Sequence, residues 1–330
     1  MKRTTKIVLM IGIALCALGG ILYGVGRATG GMEKLNDSQT EVLKNDSKRE
    51  TVTLEKENLG DIQRIDGSIA DVDLVVKPSE DDSCYLSYNV ETRKGKDPVT
   101  YSVKDGTLEL KEDGGYMNSF YVQVDISFLS QMTGEKESEE HENLITLYLP
   151  EDKTLEDCKL ALGDGDMNIE KLHSKNMDLT LRSGDLAGKD IEAQTGVISL
   201  EDGDLDLSDF ICWNLNLRSE CGDVSLSSTE LKDAAITMQD GDLSAKELML
   251  TGEAQIQSES GDVSISPNRE KSGRLAINAR TEWGDIAVES FWKGSLYDDD
   301  YDDTAKYERS VENPSAALNV KSEDGDISIK

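Results

Sequence analysis

From Leu160 to the C-terminus, apolar residues hold fixed places around a recurring Gly-Asp pair. The glycines are Gly165, Gly184, Gly203, Gly222 and Gly241, each 19 residues after the last, then Gly261, Gly284 and Gly325 at steps of 20, 23 and 41. Ile198 and Leu200 precede Gly203 by five and three positions, and Leu205 and Leu207 follow it by two and four. The same frame fits Ile236, Met238, Leu243 and Ala245 around Gly241, and Val320, Ile327 and Ile329 around Gly325, where Leu318 extends the alternation two positions further back. Ser219, Ser258, Thr281 and Ser322 take the place three before the glycine where it is not apolar. Alternation at i, i+2 predicts strands, and the change of parity across each glycine predicts a turn there. Glycine supplies the backbone freedom, and aspartate can hydrogen-bond within its own turn.

Two architectures satisfy this pattern. Asp-Gly at 164–165, 202–203, 240–241 and 324–325 is a hairpin signal, and a two-residue turn would pair Leu200 with Leu205. Cys221, Ser260 and Trp283 fill the same pre-glycine slot, however, where a type I′ turn demands positive φ. A β-solenoid, a single-stranded β-helix-like stack with one coil of 19–20 residues per repeat, explains the equal steps, because stacked coils in register need equal length. Eight coils at ~4.8 Å would stack to about 40 Å and align the aspartates after each glycine in a ladder.

From Thr51 to Pro150 the chain also alternates like strands, in TVTLEKE, ADVDLVV, SCYLSYNV, VTYSV, GTLELKE, FYVQVDISF and LITLYLP, with GEKESEEHEN at 134–143 read as a solvated loop. Residues 27–50 are polar and read as a stalk. Before them, Lys2, Arg3 and Lys6 precede an apolar run from Ile7 to Val25, long enough for a bilayer-spanning helix. A cleaved signal peptide is the rival reading, since Ala17, Gly19 and Gly20 are small, but the run exceeds a usual signal segment. Cys16 follows Leu15, where a lipid-attachment site wants a small residue. The positive-inside rule leaves the N-terminus in the cytoplasm and the remainder outside, in the cell envelope. The expected organisation is therefore a cytoplasmic tail at 1–6, a transmembrane helix at 7–26, the stalk, a β region at 51–155 continuous with the repeats, and the repeat solenoid at 156–330, interrupted at 290–316.

Charge narrows the partners. All 66 acidic residues follow Arg27, and the net charge is −31. Such a surface makes nucleic acid and anionic lipid poor partners; beyond the chain's own membrane anchor, an envelope protein or cell-surface ligand remains. Cys84, Cys158, Cys212 and Cys221 show neither a CxxC pair nor the density of a disulfide scaffold; one bridge is open outside the cell, with no pairing selected. With only His141 and His173, a His-based zinc site or nucleophile is excluded in practice.

The repeats GDVSL at 222–226, GDVSI at 261–265 and GDISI at 325–329, with LITLYLPEDKTLEDCKLALGDGDMNI at 144–169, resemble a bacterial family of cell-envelope proteins described as candidate adhesins, carrying a domain of unknown function. The resemblance covers residues 51–330. It implies a β-solenoid-like exported domain, and it brings no catalytic residues and no cofactor.

Asp-rich turns raise the question of calcium, which takes six to eight oxygen ligands. The nonapeptide of calcium β-rolls is absent, so solvated or self-capped turns are the simpler reading. Asp298, Asp299, Asp300, Asp302 and Asp303 form a denser cluster beside Tyr297, Tyr301 and Tyr307, read as an exposed acidic loop, with calcium or a basic ligand as the alternative. A carbohydrate-active enzyme on a β-helix is the remaining class, but no carboxylate pair stands out from the acidic background. Trp213, Trp283, Trp292 and Tyr297 are read as rings that cap or pack the end of the stack rather than line a sugar groove. The expectation is a non-enzymatic binding or scaffolding module.

Overall fold

Parallel pairing at the repeat period organises the strands. The computed structural model describes residues 49–93, 97–114, 143–299 and 304–330, and the strands below belong to the unit Thr51–Thr92 with Lys96–Lys330. The described residues are all-β, and among them no helix is long and apolar enough to cross a membrane. The expected tail at 1–6, anchor at 7–26, stalk (save Arg49 and Glu50), strand FYVQVDISF and nearly all of the 134–143 loop lie outside the described residues.

Successive repeats pair at a constant offset of 19 residues, as in Leu186↔Leu205, Leu205↔Val224 and Val224↔Leu243. The offset becomes 20 at Ile236↔Ile256, where the glycine step is also 20. Leu200 therefore lies between Leu181 and Ser219 of neighbouring coils and not opposite Leu205, which removes the hairpin alternative. The product is a solenoid-like stack. In the middle coil, Leu205, Leu207, Phe210, Cys212, Leu215, Leu217 and Ser219 point inward and are buried. Three breaks in that alternation divide it into three faces: Asp209 with φ of 51°, the exposed pair Trp213 and Asn214, and the Gly222-Asp223 corner.

Stacking turns each inward position into an aliphatic column. One runs Leu74, Met167, Leu186, Leu205, Val224, Leu243, Val263, Ile327, Ile286, all buried. Each such side chain contributes about 1.5–3 kcal/mol of transfer free energy, which is how a chain with 5% aromatics fills its interior.

The order of coils in space departs from their order in sequence at both ends. The C-terminal strands Ala316–Asp324 and Ile327–Ile329 lie between Glu253–Ser260 and Val263–Pro267 on one side and Leu275–Trp283 and Ile286–Val288 on the other. The 41-residue step thus reflects a chain that builds the outer coil first, leaves it, and returns to fill the gap beneath. Segment 290–316, expected only as an interruption, contributes an antiparallel hairpin of Ser295–Asp299 and Thr304–Arg309 that covers the outer edge of Leu275–Trp283. The other end repeats the device. Arg64–Ile69 and Asp73–Pro78 sit between the coil of Thr107–Glu112 and Leu144–Leu149 and the coil of Thr154–Asp164 and Met167–Ile169. Antiparallel Val99–Lys104 and Cys84–Arg93 cover the outer edge. Asp105 and Gly106, with φ of 50° and 73°, turn the hairpin between Val99–Lys104 and Thr107–Glu112. The type I′ Asp-Gly signal operates there; at the Asp-Gly pairs of the repeats only the glycine has positive φ.

If the C-terminal coil is interior, Leu318→Ala should cost about 3 kcal/mol in urea denaturation, as expected for a fully buried leucine. Leu296→Ala, on the exposed outer strand, should stay within about 0.5 kcal/mol. Similar small losses for both would contradict the wedged arrangement.

Candidate functional site

The Gly-Asp corner is the most repeated polar feature of the molecule, and its geometry follows from the stacking. All eight repeat glycines fall in one column, with φ between 113° and 156°. At Gly203 a Cβ would collide with the carbonyl oxygen of Gly184 in the coil beneath, so both conformation and space demand glycine. Through the corner the Gly184 N–H donates to the Asp202 carbonyl (3.0 Å), and the Leu186 N–H donates to the Asp204 carbonyl (2.9 Å). The amide between them has no carbonyl to meet. It turns to a side chain instead: the Asp185 N–H donates to Asp166 Oδ1 at 2.9 Å, and in the next coils the Asp204 N–H donates to Asp185 Oδ1 and the Asp223 N–H to Asp204 Oδ1, both at 2.8 Å.

This relay runs from Asp73 through Asp166, Asp185, Asp204, Asp223, Asp242 and Asp262 to Asp326 and then Asp285, following the spatial order. The aspartates therefore cap the next coil, where the sequence suggested bonds within their own turns. Asp73 is a member the repeat search missed, because Val72 stands where the other coils carry glycine. A weak signal was present in Asp73-Leu74, acid followed by apolar.

Other polar groups are buried within the stack. Ser219, Ser258, Thr281 and Ser322 are buried, the last three on adjacent coils, and Thr281 Oγ1 donates to the Gly325 carbonyl at 2.9 Å. Glu112 is only 4% exposed; its carboxylate accepts N–H bonds from Ala70, Asp71 and Gly114 at 2.8, 3.0 and 2.6 Å. Nothing in its sequence context marked it. A second corner column, Asp190, Asp209, Ser228 and Glu247, has φ near 50° at 19-residue spacing and also escaped sequence reading, since no glycine labels it. There Lys171 Nζ lies 3.1 Å from Asp190 Oδ2, and this bond holds the carboxyl below, and the ammonium above, their ordinary ranges.

The pattern that defines the Toastrack DUF4097 family matches residues 62–330, most of the chain. The chain belongs to the Toastrack DUF4097 family. Solved structures that the chain matches include a candidate adhesin from Bacteroides fragilis, 15% identical, with a TM-score of 0.49 over 85% of this chain and 97% of the other. A candidate cell adhesion protein from Clostridium sporogenes is 15% identical, with a TM-score of 0.29 over 86% and 98%. A candidate lipid-binding protein from Parabacteroides distasonis is 15% identical, with a TM-score of 0.43 over 86% and 94%. No curated protein matches the chain.

Within this Toastrack domain the acidic cluster divides: Asp298 and Asp299 fall in the outer strand Ser295–Asp299, while Asp300, Asp302 and Asp303 lie outside the described residues. Among the described residues no group of three or more His, Cys, Asp or Glu is arranged to hold a metal. The aromatic residues part company. Trp292 is buried and its Nε1 donates to the Lys330 carbonyl at 3.0 Å, closing the end of the stack. Trp213, Trp283 and Tyr297 are exposed, contrary to a purely capping role. Cys84, Cys158 and Cys212 are buried free thiols and Cys221 is an exposed one; burial pushes Cys158 up to about 12 and Cys212 up to about 11.

Two outcomes follow. Asp204→Ala should cost about 1–1.5 kcal/mol by stranding the Asp223 N–H, and Asp204→Asn about half as much because an acceptor remains; Gly203→Ala should cost at least about 2 kcal/mol. Chemical denaturation of the three variants checks the order. Alkylation of the native protein at pH 8, read by peptide mapping, should modify Cys221 first and leave Cys84, Cys158 and Cys212 intact until unfolding.

Proposed function

We propose that this protein is a membrane-anchored, extracytoplasmic, non-enzymatic binding or scaffolding module of the adhesin kind, held by a single N-terminal span with its Toastrack stack outside the cell. The observation that carries the reading is the use made of the repeated carboxylates. Every Gly-Asp carboxylate but that of Asp285, at the end of the relay, receives the backbone N–H of the adjacent coil, so the motif that dominates the sequence builds an extended surface rather than a reaction centre. The N-terminal sequence supports the placement: Lys2, Arg3 and Lys6 precede an apolar run, and every acidic residue follows it. A surface of this charge resists collapse and non-specific association, as a displayed domain requires.

The exposed thiol offers a direct test. In spheroplasts expressing the full chain, a membrane-impermeant maleimide should label Cys221 without lysis, and the protein should sediment with membranes and need detergent for release. Labelling that appears only after lysis, or recovery in the soluble fraction, would refute the anchored and exported reading.

A further inference from the structure

One of the inward columns that run through the stack ends uncovered. Leu217, Ile236, Ile256, Val320, Ala279 and Tyr307 follow one another by register from the middle coils through the last coil into its cap, and all are buried. The next place in the column belongs to Leu296, opposite Tyr307 in the outermost strand Ser295–Asp299, and this leucine is 52% exposed. Ser295–Asp299 pairs with Thr304–Arg309 and, among the described residues, with no other strand. The N–H and C=O groups of its outer edge and the open side of Leu296 thus border the same strand-wide position.

The surroundings of this edge are apolar and acidic together. Trp283, Phe291, Leu296 and Tyr297, four of the seven large apolar side chains exposed among the described residues, belong to the last coil and the cap that follows it. Five aspartates and no basic residue stand between Lys293 and Lys306. Two of the five, Asp298 and Asp299, are members of the edge strand itself, and register sets Asp298 opposite Ala305, two places along from Leu296.

We propose that the edge of Ser295–Asp299 takes up one extended strand of a partner protein that carries an apolar and a basic residue two places apart. In strand addition the main-chain hydrogen bonds supply affinity and alternate side chains supply the choice of sequence. An apolar residue set beside Leu296 carries the core column one step further, and a lysine or arginine two places along stands beside Asp298. The aspartates also decide against a second copy of this chain as the occupant, because two such edges would bring like charges together. The inference gives the binding module proposed above a partner class, and it depends on that reading only for access of the partner to the edge.

The test is fluorescence anisotropy of a labelled peptide, Thr-Val-Thr-Lys-Thr-Val-Thr-Lys-Thr, with the full chain in detergent micelles. This peptide should bind, and its counterpart with glutamate in place of lysine should not. N-methylation of every residue keeps the charge and removes the main-chain donors, and should weaken binding about tenfold or more. Leu296→Ala should weaken it about threefold or more, and Asp298→Lys about tenfold. Asp206→Lys, the same change of charge on another face, should leave it unchanged, and all three variants should keep the parental melting curve. Absence of binding overturns the proposal; so does equal binding of the N-methylated peptide or of Leu296→Ala, which would reduce the attraction to charge alone. A dimer of the parental chain in sedimentation that Leu296→Asp dissociates would assign the edge to a second copy and overturn it too. Peptide binding in micelles does not depend on membrane topology, so its outcome is separable from that of the thiol-labelling experiment.

Discussion

Backbone meets backbone at the Gly-Asp corner, and the rest of the molecule is arranged around that contact. The corner glycine of each coil lies over the glycine carbonyl of the coil beneath, with no room for a side chain at Gly184, Gly203, Gly222 or Gly241. Such close stacking is simplest when successive coils return to the corner after the same number of residues. The 19-residue register of Leu186, Leu205, Val224 and Leu243 is the consequence. A one-residue slip would turn an inward leucine outward, because side chains alternate along a strand. Where the step to Gly261 lengthens to 20, the extra residue lies away from the corner, between Leu250 and Ala254, where the offset changes from 19 at Leu231↔Leu250 to 20 at Ala234↔Ala254.

A parallel stack solves its interior well and its ends badly. Both terminal coils would expose unpaired N–H and C=O groups, the edge that invites association with other chains. Here each end is covered by antiparallel strands: Thr304–Arg309 with Ser295–Asp299 at one, Val99–Lys104 and Cys84–Arg93 at the other. The wedged coils complement these caps. Ala316–Asp324 is hydrogen-bonded on both sides, so a chain end that would otherwise fray is held by two ladders. The cap emerges from the outer coil before the chain doubles back, which makes wedging and capping one topological event.

Much of this was legible in the repeat. The glycine spacing, the inward columns and the all-β class follow from periodicity, since equal coils and alternation are local requirements. The spatial order of coils was not legible, because Leu318 and Val320 carry the same inward pattern whether their coil lies inside the stack or at its end. Segment 290–316 looked like an interruption because antiparallel strands in a cap owe nothing to a 19-residue register. The Asp190, Asp209, Ser228 and Glu247 corner was invisible since three residue types there adopt the same left-handed conformation. Val72 hid a coil by replacing the glycine used to find the others.

The aspartate relay raises a question of charge that geometry answers. Neighbouring carboxylates at the ~4.8 Å coil spacing repel by about 0.9 kcal/mol in water before salt screening. An asparagine would accept the same N–H without that penalty, yet nine successive coils from Asp73 to Asp285 carry aspartate. Two properties of the carboxylate account for this. A hydrogen bond to an ionised acceptor is roughly twice as strong as one between neutral groups. A carboxylate also presents an acceptor in either orientation, whereas a carboxamide turned the wrong way sets its NH2 group against the incoming N–H. Repulsion between neighbours is thus the consequence of securing an amide that the turning backbone leaves without a carbonyl, and part of the chain's acidity originates in the stack itself.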